Sequence, residues 1–557
     1  MAKMLLPRSA PGARAQTSIN CKEIPTVQQI RLLTSMSVAL CASLNAQNNF
    51  LSPTETVQTT QGLVQGVSSG AIDKFLGIPY AAPPVGQLRW KAPTEAPSWS
   101  GVRDAIREGS ECTQSGGGSS VVGSEDCLFL NIYRPAGTKP GDSLPAIIFI
   151  HGGSNQQGTG NTYHPTEWVR TTQIIVVTIN YRVNVFGYLA LPSLDAEVGE
   201  PSSGNFGLMD QQASMRWVKA NIQAFGGDSA NITIGGESAG GIDVCANLVS
   251  PPAAGLFNKA FMESMYCPTT SHDQAIQTSA PVAAALGCTD TETAASCMRN
   301  VPAANVLKAA GHLSMVGEAG FNASPNFGSS LLPLQVPDAL NSGQWNQSAI
   351  LIGSNHDDAS PFVSAALSAQ HVQFPISVPE YQMLVGVQFG SFAPNVLQEY
   401  PLAAYSDPFL ALADEVTDDS AVGCPVTPLT QMFAHVASTY RYEFNDQNAS
   451  SEGGNPTDRT LGAYHGAELL YLFTVPQSEA PKSAPQQTLS LQMMRYWANF
   501  ATAGDPNGDG LVLWPRYDAA SHLLVSLKSD ATMAIDSFDV DHHCAFWAAA
   551  PGPPFAR

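Results

Sequence analysis

The sequence predicts an α/β fold: a central, mostly parallel sheet with helices on both faces. Short, apolar, β-branched runs recur along the chain, at residues 146–150, 174–179, 232–234 and 349–352. They are continuous rather than alternating, as strands buried on both faces are. Helical stretches such as 211–225 lie between some of them, the alternation that builds parallel sheets. In such sheets function sits at the carboxyl ends of the strands, so the residues just after each run carry the most information.

The composition fits a large core. Of 557 residues 44% are hydrophobic and 13% charged, which argues against global disorder. The formal net charge of −20 repels phosphate backbones and offers no basic patch for anionic lipid, so nucleic acid is excluded as a natural partner. No apolar run reaches the roughly 18 residues a membrane-spanning helix needs. The nearest, residues 32–44, follows Arg31, carries hydroxyls and ends in small residues near Ala46. It reads as the core of a secretory signal. Its distance from the start implies a long n-region or a true start downstream, as at Met36. The chain therefore divides into a leader, 1–50, and one domain, 51–557, with no linker or internal repeat. Secretion would favour pairing among the ten cysteines. Four sequons, at Asn231, Asn322, Asn346 and Asn448, permit glycosylation.

Taken in chain order, the first run to carry chemistry is 146–150, followed by His151-Gly152-Gly153. Glycines here let backbone amides approach a developing negative oxygen with no Cβ in the way. After 232–234 comes Gly235-Gly236-Glu237-Ser238-Ala239-Gly240-Gly241, which contains Gly-x-Ser-x-Gly between a strand and a helix. That context makes a nucleophile elbow, with Ser238 thrust out at the start of a helix. The helix terminus lends partial positive charge, and the amide of Ala239 is free to hold an oxyanion. Gly152, Gly153 and Ala239 together form the expected oxyanion hole. After 349–352 comes Gly353-Ser354-Asn355-His356-Asp357-Asp358. A carboxylate here can orient a histidine, and the adjacent aspartates leave two choices. Run 440–444 alternates more than the others. The glycine-flanked loop after it carries His465, which stands out among 11 histidines by that setting and by its order after the serine and the acid.

Other patterns read as structure. Residues 115–120 are a loop, since no Gly-Lys-Ser/Thr follows. Asp505-Pro506-Asn507-Gly508-Asp509-Gly510 begins like a calcium loop, but its twelfth position is Arg516 and Trp514-Pro515 breaks any exiting helix. His542-His543-Cys544 lacks the spacing of a metal site. No metal and no organic cofactor is expected.

At this point the chain resembles the type-B carboxylesterases, the α/β-hydrolase family that includes cholinesterases and fungal lipases. The resemblance covers about residues 57–550. It rests on Phe75-Leu76-Gly77-Ile78-Pro79-Tyr80-Ala81, Leu88-Arg89-Trp90, Ser124-Glu125-Asp126-Cys127-Leu128-Phe129-Leu130-Asn131, Gly204-Asn205-Phe206-Gly207-Leu208-Met209-Asp210-Gln211 and Phe225-Gly226-Gly227-Asp228. In that register the triad acid falls at Asp358, where many members carry glutamate, and Ala359 replaces a usual glycine. The resemblance implies disulfides Cys112–Cys127, Cys288–Cys297 and Cys424–Cys544, with no family partner for Cys245 or Cys267. It implies a secreted serine esterase with a small-molecule ester substrate, cleaved through an acyl-enzyme on Ser238 with His465 as base. The alternatives are a lipase acting at interfaces and a non-catalytic binding member of the fold. The loop between Cys112 and Cys127 is short, polar and free of Trp, Tyr and Phe, which argues against a hydrophobic lid and against a cation–π cage.

Overall fold

Thirteen strands form one central sheet in the computed structural model, which describes residues 51–117, 120–311, 321–418, 422–449, 459–476, 478, 481 and 483–550. They are β1 (Ser52–Gln58), β2 (Leu63–Ser68), β3 (Ile72–Pro79), β4 (Val102–Asp104), β5 (Phe129–Pro135), β6 (Leu144–Ile150) and β7 (Ile175–Ile179). There follow β8 (Gly227–Glu237), β9 (Lys259–Glu263), β10 (Ala349–Asn355), β11 (Thr439–Phe444), β12 (Leu524–Leu527) and β13 (Met533–Ile535). Their spatial order is β1-β2-β3-β5-β7-β6-β8-β9-β10-β11-β12-β13, with β4 beside β2. From β7 to β12 every pairing is parallel. The main-path pairings toward β1, and the last pairing with β13, are antiparallel. The predicted segment 32–44, Cys21 and Cys41 lie outside the described residues.

The period of two along β6 explains why its run is continuous. Ala146, Ile148 and Ile150 join one apolar cluster and Ile147 and Phe149 the other. The first face is covered by α1 (Phe206–Asn221), α2 (Ala239–Leu248) and α3 (Val426–Val436), through Met215, Val244 and Phe433. The second is covered by α4 (Ala484–Ala503) and the short helix Thr166–Thr172, through Met493, Trp497 and Trp168. With both faces covered, an inward polar residue has nowhere to go, so the strand is apolar throughout.

Two boundaries differ most from the sequence reading. The run 232–234 is the middle of an 11-residue strand, because Gly235, Gly236 and Glu237 continue the ladder with β9 to the elbow. The helix expected over 211–225 starts at Phe206, ends at Asn221 and finishes in a 3₁₀ turn, Ile222–Phe225. The Asp505–Gly510 segment is a self-stapled turn: the side chain of Asn507 accepts from the amide of Trp514 at 2.7 Å and donates to its carbonyl at 2.9 Å.

Four disulfides join the described cysteines. Cys112–Cys127, Cys288–Cys297 and Cys424–Cys544 are the three the resemblance implies. The fourth, Cys245–Cys267, supplies the partners that sequence reading could not place: α2 and the loop after β9 bring their Cα atoms to 5.7 Å. Among the described residues no helix is long and apolar enough to cross a membrane.

Candidate active site

Ser238 occupies the turn from β8 into α2 with φ 57° and ψ −127°, a strained conformation for a residue that carries a Cβ. The turn is tight because β6 and α2 touch there. A Cβ on Gly240 would lie 2.1 Å from the carbonyl oxygen of Ile150, so no other residue fits. The amide of Ser238 donates to the carbonyl of Glu263 at 2.9 Å, which anchors the elbow to β9.

The glycine segment after β6 lies against the elbow. A Cβ on Gly152 would come 3.0 Å from Cβ of Ser238 and 2.8 Å from the carbonyl oxygen of Glu237. Gly153 has φ 105° and would meet the Gln157 carbonyl oxygen at 2.3 Å. His151 fixes this segment. Its ring stacks on Tyr181 at 4.4 Å, its Nδ1 lies 2.9 Å from the Gly152 carbonyl oxygen, and Tyr181 Oη donates to its carbonyl at 2.8 Å. Burial lowers the His151 pKa to about 4, so the ring is neutral. Ala239 is the first residue of α2 and is buried beside Ser238.

The two aspartates after β10 do different jobs. Asp358 is fully buried; its Oδ1 lies 2.5 Å from His465 Nδ1 and its Oδ2 accepts from the amide of Asn355 at 2.8 Å. Asp357 turns away and braces the loop that carries His465. Its Oδ2 accepts from the amide of Ala463 at 2.8 Å and from Gln447 Nε2 at 2.7 Å, and its own amide donates to the Ala463 carbonyl. It also faces His356 Nδ1 at 3.5 Å. The ring of Phe362 packs on His465 at 4.7 Å.

The other nitrogen of His465, Nε2, lies 3.0 Å from Oε1 of Glu237, the residue before Ser238. Burial opposes an imidazolium here, but Glu237, Asp358 and Glu468 outweigh it and push the His465 pKa up to about 10. Two further buried acids stand behind. Burial, helped by Glu237 and Asp358, raises Glu468 to about 8. Burial, with Glu468 and Glu237, raises Glu263 well above the usual carboxylate range. Sequence reading assigned no role to Glu237, Glu263 or Glu468. The position of Glu237 inside the Gly-x-Ser-x-Gly motif was the available signal; nothing in the chain marks Glu263.

Two triplets bring three possible ligand atoms within 4.8 Å of one another among the described residues: His356–Glu443–His542 and His356–Asp357–Asp414. In the first, both ring nitrogens of His542 already face carboxylates, Asp418 on Nδ1 and Glu443 on Nε2. That makes it the centre of a buried ion-pair group.

The short loop between Cys112 and Cys127 is tied to the glycine segment. Gln114 Nε2 donates to the carbonyl of Gly158 at 3.0 Å, and the Gly158 amide donates back to Gln114 Oε1 at 2.7 Å.

This sheet order, with a serine elbow after the central strand and an aspartate–histidine pair at the ends of two later strands, defines an α/β-hydrolase. A solved structure titled PNB esterase superposes with a TM-score of 0.71 at 29% identity, over 88% of this chain and 98% of its own. Para-nitrobenzyl esterase of Bacillus subtilis (strain 168) is 32% identical over 87% of this chain and 97% of its own length. Cocaine esterase of Oryctolagus cuniculus is 30% identical over 82% and 87%. Carboxylesterase 1C of Mus musculus is 30% identical over 93% and 96%. The model of the carboxylesterase family matches residues 53–547. The chain belongs to the carboxylesterase family and is a carboxylic ester hydrolase.

Proposed function

We propose that this enzyme hydrolyses soluble carboxylic esters through an acyl-enzyme on Ser238. His465 takes the proton from Ser238 Oγ as it attacks the ester carbonyl, then returns it to the departing alcohol. The amides of Gly152, Gly153 and Ala239 hold the tetrahedral oxyanion. Water, activated by the same histidine, then releases the acid. Asp358 holds the imidazole in the tautomer that presents Nε2 as a base. The observation that carries this reading is the 2.5 Å contact between Asp358 and His465 Nδ1, beside the elbow.

For His465 to act on Ser238, Nε2 must exchange its contact with Glu237 for one with the serine hydroxyl. The short, polar loop closed by Cys112–Cys127 supports soluble esters over lipid droplets. The reading also takes residues 1–50 as a cleaved secretory leader and the rest as one catalytic domain exported to the extracellular space.

Ser238→Ala is expected to lower kcat by about three orders of magnitude or more with the fold intact. A fluorophosphonate is expected to label Ser238 alone; a label on another serine would refute the assignment. For tributyrin, saturation below its solubility limit fits the reading. A jump in rate once droplets form would make the enzyme a lipase.

A further inference from the structure

Away from the serine elbow, a cavity of about 500 Å³ opens between the start of α1 and the segment 88–94. That volume lies within the range of small-molecule sites. Its lining is mainly apolar: Trp90, Leu194, Phe206, Met209 and Leu331 contribute to it, and none of the proposed catalytic residues does. Trp90, Leu194 and Phe206 are nearly fully buried and belong to a further apolar cluster, apart from the two that flank the sheet, so that part of the wall is rigid. Trp90 Nε1 is held by the Val185 carbonyl at 2.8 Å, which leaves its ring as apolar surface.

The charged residues of the lining are Lys91, Arg216, Glu197 and Glu200. Glu197 is taken up by Arg299, which grips both its oxygens from outside the lining. Lys91 adds a looser contact with Glu197 at 3.8 Å. Glu200 accepts from Ser330 Oγ at 2.7 Å. Among the described residues Arg216, exposed at the rim, has neither a hydrogen-bond acceptor nor an ion-pair partner, and burial of part of its side chain lowers its pKa. With Glu197 neutralised by Arg299, Lys91 and Arg216 face Glu200 alone. An apolar chamber with surplus cationic charge at its rim is complementary to one kind of small molecule: an apolar body ending in one anionic group. A guanidinium presents a planar fork of donors that a carboxylate meets with two parallel hydrogen bonds.

We propose that this cavity is a second binding site, separate from the serine elbow, for an amphiphilic monocarboxylate such as a medium-chain fatty acid, with its carboxylate on Arg216 and its chain between Trp90, Leu194 and Met209. This assignment does not depend on the acyl-enzyme mechanism. On a protein whose net charge is −20, general electrostatics would repel a carboxylate, so binding at this place requires the local guanidinium.

The test is calorimetric titration of the full chain with decanoate below its micelle concentration, alongside decanol and decyltrimethylammonium. Decanoate is expected to bind at least tenfold more tightly than decanol. Arg216→Gln is expected to erase that preference, since a hydrogen bond to a charged group is worth about tenfold or more in affinity. Arg216→Lys, which keeps the charge and loses the fork, should fall between. Met209→Trp, which fills the chamber, should weaken both ligands. Each variant should keep the wild-type kcat on a short nitrophenyl ester, because Arg216 and Met209 lie outside the proposed catalytic group. Decanoate binding equally well to Arg216→Gln and Met209→Trp would place it elsewhere and overturn the proposal. So would absence of decanoate binding to the wild type, or tighter binding of the ammonium.

Discussion

In the proposed mechanism a single carboxylate decides when His465 can work. Glu237 meets Nε2 at 3.0 Å and, with Asp358, holds the ring as an imidazolium with a pKa of about 10. An imidazolium cannot take a proton from Ser238. The base is the neutral ring, and its fraction rises with pH up to its pKa. The acid limb of kcat/KM reports that pKa in the free enzyme. Glu237→Gln removes the largest charge raising it, so the acid limb is expected to move to lower pH, read from a profile on a water-soluble ester. A limb that stays in place would mean that Glu237 and His465 do not meet in solution. The two aspartates give a second expectation. Asp358→Asn should cost on the order of 10⁴ in kcat by favouring the wrong tautomer. Asp357→Asn should cost far less in kcat and show mainly as a lower melting temperature, because Asp357 ties down Ala463 and Gln447 rather than His465. The residues alone could not separate these neighbours, since a strand-end turn can point either one at the histidine. Family register named Asp358, and the hydrogen bonds give the physical difference between the two.

At the scale of elements, β8, β6 and α2 meet at a contact that only glycine permits. Gly240→Ala would drive a methyl group against the Ile150 carbonyl, and backbone cannot rotate away as a side chain can. The expected cost is about 1–3 kcal/mol, from overpacking. Because the displaced helix starts at Ala239, directly after Ser238, kcat should fall more than the melting temperature alone would explain. An unchanged kcat in a folded Gly240→Ala protein would show that the contact does not set the elbow. Elements like these were legible in the chain: the apolar runs at 146–150 and 349–352 are the cores of β6 and β10, and the glycines around Ser238 mark its turn. β11 was harder to interpret. Its alternation comes from Tyr440, Tyr442 and Phe444 on one face and Arg441 and Glu443 on the other. Alternation usually signals a face in water, yet every residue of β11 is buried. Arg441 lies beneath Phe538, 4.0 Å from its ring centroid, and Glu443 meets His542. Nothing within residues 439–444 says that a segment a hundred residues later will cover them.

That covering segment ties the end of the chain to the sheet, and its charges give the whole molecule a pH signature. His542 holds Asp418 on one nitrogen and Glu443, at 3.0 Å, on the other, next to the Cys424–Cys544 disulfide. Burial opposes the charge on His542, but Asp418 and Glu443 outweigh it and raise its pKa well above the ordinary 6.5. Burial likewise opposes the Glu443 carboxylate, but His542 and His356 outweigh it and bring its pKa from the ordinary 4.5 down to about 2. The signs of the two contributions follow by linkage. Glu443, depressed, stabilises the fold above its ordinary pKa and loses that contribution as pH falls toward its folded value. His542, raised, stabilises fully below its ordinary pKa and loses its contribution only as pH rises through the raised value. His542→Gln removes the cation that bridges Asp418 and Glu443 and leaves only His356 near Glu443, with an expected loss of about 3–5 kcal/mol near neutrality. In that variant burial opposes the Glu443 carboxylate with only His356 to offset it, so acidification protonates Glu443 and removes part of the penalty. The wild type meanwhile loses its own Glu443 contribution over the same descent. The gap in urea midpoint between the two proteins should therefore be widest near pH 6 to 7 and narrow toward pH 4. A gap that stays constant from pH 7 to pH 4 would mean that the group is not ionised in the folded protein and holds the C-terminal segment by packing alone.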